Sequence, residues 1–306
     1  MTIAPGFVGI DVGKHYLDIF AERPIRIANS CEAIAGWLAD QGPMELVLLE
    51  ATGRYDRRLR SALMSAGQRY CRVNPAQARA FARATGHLAK TDRVDARMLA
   101  LMAQVLRPHG HVEPGAEQHK LGELNARRDQ LVDMRRSELN RSQEIADPDA
   151  LADIKAHIRD LSARIAAFEL RIAALIETVP ALERLHRLLR SIPGIGPVAA
   201  TTLMALLPEA GQRSPKTIAA LCGLAPINND SGTLRGKRSI RGGRARVRTA
   251  LYMAALSATR STSPFATRFK AMLKAGKPAK LALIAIARKL VVIANAVVRD
   301  NTPYSA

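Results

Sequence analysis

The sequence predicts an α/β domain, followed by an antiparallel coiled-coil or helical hairpin and a mainly helical, strongly basic domain. Three observations support this. Short apolar strands mix with helical segments at the start, a long charged aliphatic stretch follows, and basic residues dominate the end. We therefore expect divisions at 1–117, 118–189 and 190–306. A chain of 306 residues has room for two compact domains and a connector.

The first segment shows strand and helix patterns in turn. Residues 7–21 (FVGIDVGKHYLDIFA) predict two strands joined by a tight turn, with Asp11 between glycines on one face and apolar residues on the other. Further strands are predicted over 45–50 and 70–73, and helices over 32–41, 57–66, 76–84 and 91–105. Strands mixed with helices favour an α/β domain whose sheet faces are covered.

The second segment has a helical repeat. Apolar residues at 151, 154, 158, 161, 165, 168, 172 and 175 recur at steps of three and four, which is typical of the seam of a coiled coil or a helical hairpin. Pro148 predicts a turn between two antiparallel helices, or a break. An isolated hairpin buries little apolar surface, so we expect it to pack on a second subunit; a plain spacer is the alternative.

The charge balance indicates a polyanionic partner. The chain has 46 Lys and Arg residues against 27 Asp and Glu residues, a formal net charge of +19. Between Ser231 and Arg299 there are sixteen basic residues and no acidic one. A segment of one sign repels itself unless a polyanion lies against it. Nucleic acid is the usual partner, with an anionic membrane or a ribosome-like structural role as alternatives.

Other features argue against several classes of protein. The three cysteines are far apart and form no CxxC pair, so neither a disulfide framework nor a zinc site is predicted. The first apolar run is too short for a signal peptide. The apolar stretch 281–298 is interrupted by Arg288, Lys289 and Asn295, which favours a buried helix over a membrane span. We expect a soluble cytoplasmic protein.

Four carboxylates of the first segment are candidate metal ligands. Asp11 lies in a predicted strand and Glu50 ends another. Asp92 and Asp95 are three residues apart, so they share a face of a predicted helix. Mg²⁺ prefers such oxygen ligands, and two ions about 3.5–4 Å apart would serve both reacting oxygens of a phosphodiester. Each acid alone could instead cap a turn, end a strand or stabilise a helix N-terminus.

A glycine-containing turn lies at the start of the third segment. Residues 191–203 (SIPGIGPVAATTL) place Gly194 and Gly196 between two amphipathic helices. This arrangement is similar to the hairpin of helix-hairpin-helix modules, in which main-chain amides at a helix N-terminus contact DNA phosphate without reading sequence. A tight turn without a ligand is the alternative.

Residues 228–248 combine a polar turn with dense positive charge. The polar residues around Ser231 predict a mobile turn with this serine at its tip. Seven basic side chains follow: Arg235, Lys237, Arg238, Arg241, Arg244, Arg246 and Arg248. A serine that attacks phosphate needs positive charge on the phosphoryl oxygens, and the planar guanidinium of arginine suits them. An ordinary turn serine in a basic loop is the alternative.

Several motifs occur along the chain in one order. They are VGIDVGK (8–14), LLEATGRY (48–55), KTDRVD (90–95), IPGIG (192–196), LCGLAP (221–226), Ser231-Gly232 and RTALYMAALS (248–257). Together they resemble the transposases of insertion-sequence family one-hundred-and-ten, which are DEDD-type recombinases guided by a bridge RNA. The resemblance covers nearly the whole chain. The joint set is specific, although single pieces such as GIG are not.

The resemblance implies a RuvC-like domain of the RNase H fold, a coiled coil and a C-terminal transposase domain. It implies an acidic tetrad that binds Mg²⁺, or Mn²⁺ in its place, formed by Asp11, Glu50, Asp92 and Asp95. It also implies that Ser231 is the nucleophile of a covalent phosphoserine intermediate, in a composite site that uses the acidic domain of another subunit.

The resemblance also implies the partners. They are donor and target DNA, a non-coding bridge RNA from the same element that pairs with both, and further copies of the chain. The copies form a homodimer that assembles into a homotetramer on DNA. The expected location is the cytoplasm of a bacterium or archaeon, in association with the nucleoid.

We therefore predict a recombinase that excises and inserts an element by Mg²⁺-dependent strand cleavage and exchange. A RuvC-like endonuclease that hydrolyses branched DNA with water is one alternative, and it would need the four acids but not Ser231. A non-catalytic nucleic-acid scaffold is another, and it would also tolerate loss of Asp11.

Overall fold

The computed structural model describes residues 2–51, 53, 55–86, 92–108, 110, 115–228, 230–231, 234–236, 238–260 and 262–305. Within these ranges, the side chains of residues 92–94, 230–231 and 234–235 are outside the description. The chain divides into two compact units, Met1–Glu113 and Pro114–Ala306. The three-part division 1–117, 118–189 and 190–306 remains a prediction about functional segments.

The first unit is built on a five-stranded mixed sheet. Its strands are β1 (Phe7–Val12), β2 (Tyr16–Phe20), β3 (Pro24–Ala28), β4 (Leu46–Glu50) and β5 (Tyr70–Val73). Their order is β3-β2-β1-β4-β5; β2 is antiparallel to β1 and β3, and β4 is parallel to β1 and β5. This mixed α/β arrangement is consistent with an RNase H-like domain.

Helices cover both faces of this sheet. They are α1 (Cys31–Ala39), α2 (Arg57–Ser65), α3 (Pro75–Ala84) and α4 (Asp92–Leu106). The face that carries Val8, Ile10 and Val12 packs on α1 and α2, and the opposite face packs on α3 and α4. The predicted strands and helices are confirmed to within about two residues, because their apolar periodicities reflect these buried faces.

The edge strand β3 was not predicted. Its residues are exposed or half-buried and it begins with Pro24, so it has no apolar run to reveal it. Pairing with β2 and an ion pair hold it in place: Arg26 Nε and Nη2 donate to the carboxylate oxygens of Asp18 at 2.9 and 2.7 Å. Because Asp18 is almost fully buried, the guanidinium also neutralises a buried charge.

Helix α4 lies directly on the backbone of β1 at Gly9. A Cβ atom at Gly9 would lie 2.0 Å from the carbonyl oxygen of Ala96 and 2.3 Å from the main-chain nitrogen of Ala100. Any side chain there would displace the helix. Phe7, at the start of β1, packs in a cluster with Met102 near the end of α4. The helix therefore runs antiparallel to β1, with its N-terminus at the end of that strand.

The second unit is helical over most of its described residues. Its helices are α5 (Ala116–Arg141), α6 (Pro148–Thr178), α7 (Pro180–Arg190), α8 (Pro197–Leu206), α9 (Pro215–Leu221), α10 (Ala245–Arg260), α11 (Pro264–Lys274) and α12 (Ala279–Asp300). Two short antiparallel pairs join β6 (Pro226–Ile227) to β9 (Ser239–Ile240) and β7 (Asp230–Ser231) to β8 (Leu234–Arg235). Apolar residues of all eight helices, α5 to α12, contribute to its core.

Helices α5 and α6 form an antiparallel hairpin. Arg128 Nη2 donates to Glu169 Oε1 at 2.6 Å, whereas Glu138, later on α5, lies 3.5 Å from His157, earlier on α6. Pro148 is the first residue of α6, as the predicted turn requires. The hairpin prediction is confirmed, whereas coiled-coil packing and a contact with a second subunit remain predictions.

Helix α12 is long and apolar enough to cross a membrane by length and composition, and it is the one such helix among the described residues. Half of the residues in its most apolar 18-residue stretch are buried within the second unit. Ile286, Leu290 and Val291 lie in the core together with residues of α8 and α10. The burial confirms the expectation of a buried core helix.

Replacing Gly9 by Ala should lower the free energy of unfolding of the first unit by about 2–3 kcal/mol, because the new methyl group meets main-chain atoms that cannot rotate away. Gly36→Ala in α1 is the control, since a Cβ there meets nothing within 4 Å and Ala is favoured over Gly inside a helix by about 0.5–1 kcal/mol. Urea unfolding followed by the fluorescence of Trp37, the single tryptophan, measures both. Equal stability of the two variants would contradict the described packing.

Candidate functional site

Asp11 and Glu50 lie side by side at one edge of the sheet. The strands β1 and β4 are parallel with Ile10 opposite Leu49, so the next residue of each strand is a carboxylate. Leu48, two residues before Glu50, belongs to the cluster beneath α4. Because strand residues two apart share a face, both carboxylates lie on the face that α4 covers.

The N-terminus of α4 brings further acids to this edge. Asp95 precedes Ala96, whose carbonyl oxygen faces Gly9. Asp11 lies two residues beyond Gly9 on the same strand face, a rise of about 6.6 Å, and one helical turn back from Ala96 covers about 5.4 Å in the same direction. The first turns of α4, which contain Asp92 and Asp95, therefore lie over the strand ends. We call Asp11, Glu50 and the start of α4 the carboxylate edge.

Three of the four predicted metal ligands at the carboxylate edge have described side chains. Asp11, Glu50 and Asp95 are half-buried, and each makes interactions within the protein. Among the described side chains, no three His, Cys, Asp or Glu residues form a group that could hold a metal ion. The side chain of Asp92 lies outside the described residues. Oxygen donors of the right type share one face and one edge, and their convergence on a metal remains a prediction.

Asn29 joins the loops that follow the two central strands. Its Nδ2 donates to the carbonyl oxygen of Gly13 at 2.9 Å and to that of Tyr55 at 3.0 Å. Its main-chain N–H donates to the carbonyl oxygen of His15 at 2.8 Å, and its own carbonyl oxygen accepts from Arg58 at 2.9 Å. The side chain is buried, with 6% of its surface exposed. One asparagine thus links the loop after β1, the loop after β4 and helix α2.

The loop after Glu50 has a second anchor at Asp56. This aspartate is fully buried, and its carboxylate lies 3.1 Å from Arg60 Nε and 2.7 Å from Arg72 Nη2. Sequence reasoning identified neither Asn29 nor Asp56. An acid between arginines in GRYDRR (53–58) was a weak signal for Asp56, whereas Asn29 had none, because its partners are distant in sequence.

Ser231 is the last residue of strand β7. It pairs with Leu234 of β8, and Asp230 pairs with Arg235. The backbone at Ser231 is therefore extended, whereas the sequence predicted a mobile turn with this serine at its tip; strand pairing across the turn is the reason for the difference. Gly232 lies outside the described residues, as does the side chain of Ser231.

We call the segment 228–238 the serine arm, and the residues on its two sides form a tightly packed base. The strands β6 and β9 pair on its two sides. Gly223 packs so closely on Gly242 that a Cβ atom would lie 2.2 Å from the carbonyl oxygen of Gly242. Gly223, Gly242 and Gly243 have φ values of 64°, 68° and 63°, a region that favours glycine. The GLAP segment (223–226) and the RGG segment (241–243) therefore pack together and form the base of the serine arm.

Three of the predicted nucleic-acid-binding arginines have partners inside the second unit. Arg244 Nη1 and Nη2 donate to the two carboxylate oxygens of Glu209 at 2.6 Å each. Arg246 Nε donates to Asp129 Oδ2 of α5 at 2.9 Å. Arg248 Nη1 donates to a main-chain carbonyl of the Gly-Gly turn at 2.6 Å. These contacts favour structural roles, and DNA contacts by these arginines remain predictions.

Arg238 and Arg241 differ from those three. Both are exposed, and neither has an ion-pair partner among the residues that the structure describes. The side chain of Arg235 and the whole of Lys237 lie outside the described residues. Arg238, at the end of the serine arm, and Arg241, directly after β9, are therefore described cations that are accessible to phosphate.

The two glycines of the predicted helix-hairpin-helix turn have different surroundings. A Cβ atom at Gly194 would lie 2.4 Å from the carbonyl oxygen of Ala254 and 2.9 Å from the main-chain nitrogen of Ala258, so packing on α10 explains this glycine. Gly196 is the N-cap of α8, and a Cβ atom there would meet nothing within 4 Å. Packing therefore does not require glycine at position 196, and DNA binding by either glycine remains a prediction.

Cys222 lies in the same base, within the LCGLAP motif. It is fully buried, and burial raises the pKa of its thiol to about 12. The hydrogen bonds from Arg244 to Glu209 raise the pKa of that arginine. The thiol therefore stays protonated at neutral pH, which makes Cys222 unsuitable as a nucleophile.

Comparisons with known proteins match both units. A profile described as the transposase IS116/IS110/IS902 family matches residues 186–270, and a DEDD-type transposase profile of the same family matches residues 8–147. The chain is 30% identical to a pilin gene-inverting protein of Moraxella bovis over 318 residues, covering 97% of each chain. The protein belongs to the IS110 family of transposases.

Two further relatives agree with this. A pilin gene-inverting protein of Moraxella lacunata is 32% identical over 262 residues, which is 84% of this chain and 81% of the relative. An uncharacterized 43.6 kDa protein of insertion element IS110 from Streptomyces coelicolor is 30% identical over 143 residues, which is 46% of this chain and 34% of the relative. The family and the enzyme class predicted from the motifs, a DNA transposase or recombinase, are confirmed.

The two profiles divide the candidate residues of this IS110-family transposase between them. The DEDD profile contains the carboxylate edge, and domains of this type are nuclease-like and typically depend on a divalent metal. The other profile contains the GIG turn, the GLAP base and the serine arm. The transposase thus carries its predicted acids and its predicted serine in separate compact units.

Replacing Asn29 by Ala should lower the free energy of unfolding of the first unit by about 2–4 kcal/mol, because two buried carbonyl oxygens lose their donor. Asn29→Asp should be as damaging, since it replaces the donating Nδ2 with an acceptor. Asn74→Ala, which removes an exposed cap of α3, is the control and should cost about 1 kcal/mol. Equal costs for Asn29 and Asn74 in Trp37-monitored urea unfolding would show that Asn29 does not hold the loops.

Replacing Arg244 by Ala should destabilise the second unit by about 3–5 kcal/mol, because the nearly buried Glu209 loses its bidentate partner. Arg238→Ala removes an exposed arginine of the same segment and should change stability by less than about 0.5 kcal/mol. The loss of helical circular dichroism with urea compares the two variants. An Arg244→Ala protein as stable as Arg238→Ala would assign Arg244 to ligand binding instead.

Proposed function

We propose that this transposase is an RNA-guided recombinase that excises and inserts DNA through a covalent phosphoserine intermediate. The observation that carries the proposal is the joining, in one chain, of a carboxylate edge and a basic serine arm. Each lies within a matched transposase profile. Two relatives are named as proteins that invert a pilin gene, which supports strand cleavage and rejoining here.

The carboxylate edge would hold the divalent ion. We assign Asp11, Glu50, Asp92 and Asp95 as its ligands and Mg²⁺, or Mn²⁺ in its place, as the ion. Such an ion supplies a Lewis acid that polarises a phosphodiester. The chain itself supplies the orientation: parallel pairing sets Asp11 beside Glu50, and Gly9 admits α4 with its N-terminal acids.

The serine arm would supply the nucleophile. The hydroxyl oxygen of Ser231 forms a bond to phosphorus as the bond from phosphorus to a sugar oxygen breaks, so one phosphodiester replaces another. The serine hydroxyl loses its proton, and the departing sugar oxygen takes one up. Arg238, at the end of the arm, and Arg241, just beyond it, are exposed and would stabilise charge on the phosphoryl oxygens. Attack by a hydroxyl of another strand would reverse the step and complete strand exchange.

The proposed assembly uses several copies and an RNA. Copies would pair through the hairpin of α5 and α6 into a homodimer and form a homotetramer on DNA, so that the serine of one subunit meets the acids of another. Leu170 of α6 supports the hairpin as a contact surface, since 73% of its surface is exposed. The bridge RNA would pair with donor and target DNA. The complex would act in the cytoplasm, at the nucleoid.

Covalent capture tests the nucleophile. Purified protein is incubated with bridge RNA, Mg²⁺ and labelled donor DNA, and SDS-resistant adducts are then resolved. The natural protein and Ser239→Ala, a control at the exposed position of β9, should form the adduct, whereas Ser231→Ala should form none and still bind DNA. An adduct with Ser231→Ala would exclude Ser231 as the nucleophile, and cleavage without an adduct would favour the endonuclease that uses water.

The same assay tests the acids. Asp11→Asn should abolish cleavage and adduct formation while DNA binding is retained, because it removes a metal ligand and leaves the basic second unit intact. Asp40→Asn, an exposed aspartate at the end of α1, is the matched control and should stay active. Full activity of Asp11→Asn would favour the non-catalytic scaffold.

A further inference from the structure

A second basic surface lies outside the serine arm, where α11 ends and α12 begins. We call it the lysine corner, and it consists of Arg268, Lys270, Lys274, Lys277 and Lys280. All five side chains are exposed. From residue 264 to residue 299 the chain contains no Asp or Glu. Among the described residues, none of the five makes an ion pair, in contrast to Arg244 and Arg246.

Lys274 lies in the last turn of α11, where the helix dipole favours a cation, but two other features of this placement are unfavourable for the isolated protein. Lys270 and Lys274 are four apart on the exposed face of α11, and like charges at this spacing repel each other. Lys280 lies in the first turn of α12, where the helix dipole favours an acid and disfavours a cation. No acid lies in that turn, and no side chain caps it. A bound polyanion would relieve both of these repulsions.

The composition of the corner indicates a duplex partner. Binding of single strands generally uses exposed aromatic rings on which bases stack. Phe265 of α11 is buried and Phe269 is half-buried, so no aromatic ring between residues 264 and 280 is exposed. Lys274, Lys277 and Lys280 follow one another at intervals of three residues. Duplex DNA presents about one phosphate charge per 1.7 Å of its axis, which suits such closely spaced cations.

We propose that the lysine corner binds the phosphate backbone of duplex DNA without reading its sequence. It would hold the substrate duplex while other parts of the protein perform cleavage and site selection. The proposal rests on the action of the protein on DNA and is independent of the phosphoserine chemistry.

The salt dependence of DNA binding tests the proposal. The full-length triple variant Lys270→Ala/Lys274→Ala/Lys277→Ala is compared with the natural protein by fluorescence anisotropy on a labelled duplex of arbitrary sequence. Each lost phosphate contact reduces the slope of log affinity against log salt by about 0.9, so the variant should lose about 2–3 in slope. At low salt its affinity should be at least about tenfold weaker.

A charge-matched control separates local contacts from net charge. Arg23→Ala/Arg69→Ala/Arg83→Ala removes three exposed cations from the first unit, away from the proposed dimer contact, and should change the slope by less than 1. Both triple variants should keep the circular dichroism of the natural protein, since the substituted side chains are exposed. Ser231→Ala should retain the full slope, which separates this test from that of the nucleophile.

Two results would overturn the proposal. Equal slopes for the corner variant and the first-unit variant would show that the corner makes no specific contact with duplex DNA. A corner variant that keeps its slope on duplex DNA but loses it on a bridge-RNA hairpin would assign the surface to RNA instead.

Discussion

The contact between the backbone of α4 and Gly9 of β1 is the constraint on which the carboxylate edge depends. A Cβ atom there would lie 2.0 Å from the carbonyl oxygen of Ala96. The helix can therefore approach the strand this closely only because residue 9 is glycine. Because α4 runs antiparallel to β1, the same contact sets its N-terminal acids over the strand ends that carry Asp11 and Glu50. Asn29 and Asp56 then fix the loops beyond these strand ends.

In the second unit, positive charge serves two different purposes. Arg244 and Arg246 stabilise the fold: one neutralises the nearly buried Glu209, and the other joins the start of α10 to Asp129 of α5. Arg238, Arg241 and the lysine corner have no described ion-pair partner and lie at the surface. The net charge of +19 is therefore a poor guide to the interface. What matters is which cations the fold leaves unneutralised.

The sequence predicted those features that depend on local periodicity. The strands β1 and β4, helix α4 and the α5–α6 hairpin bury regular apolar faces, so their patterns were visible. The edge strand β3 buries little and was missed. Asn29 was missed because its partners Gly13 and Tyr55 are distant along the chain. Periodicity also could not distinguish arginines that stabilise the fold from exposed arginines. Arg241 and Arg244 lie three residues apart, yet Arg241 is exposed and Arg244 is paired with Glu209.

The most direct test of the carboxylate edge is anomalous diffraction from crystals of the natural protein soaked in Mn²⁺. An anomalous peak is predicted at the ends of β1 and β4, with carboxylate oxygens of Asp11, Glu50 and at least one acid of α4 at metal–ligand distances of about 2.1 Å. Ordered carboxylates at this edge with no peak between them, or a peak bound only by residues elsewhere, would contradict a metal-dependent site built on the contact at Gly9.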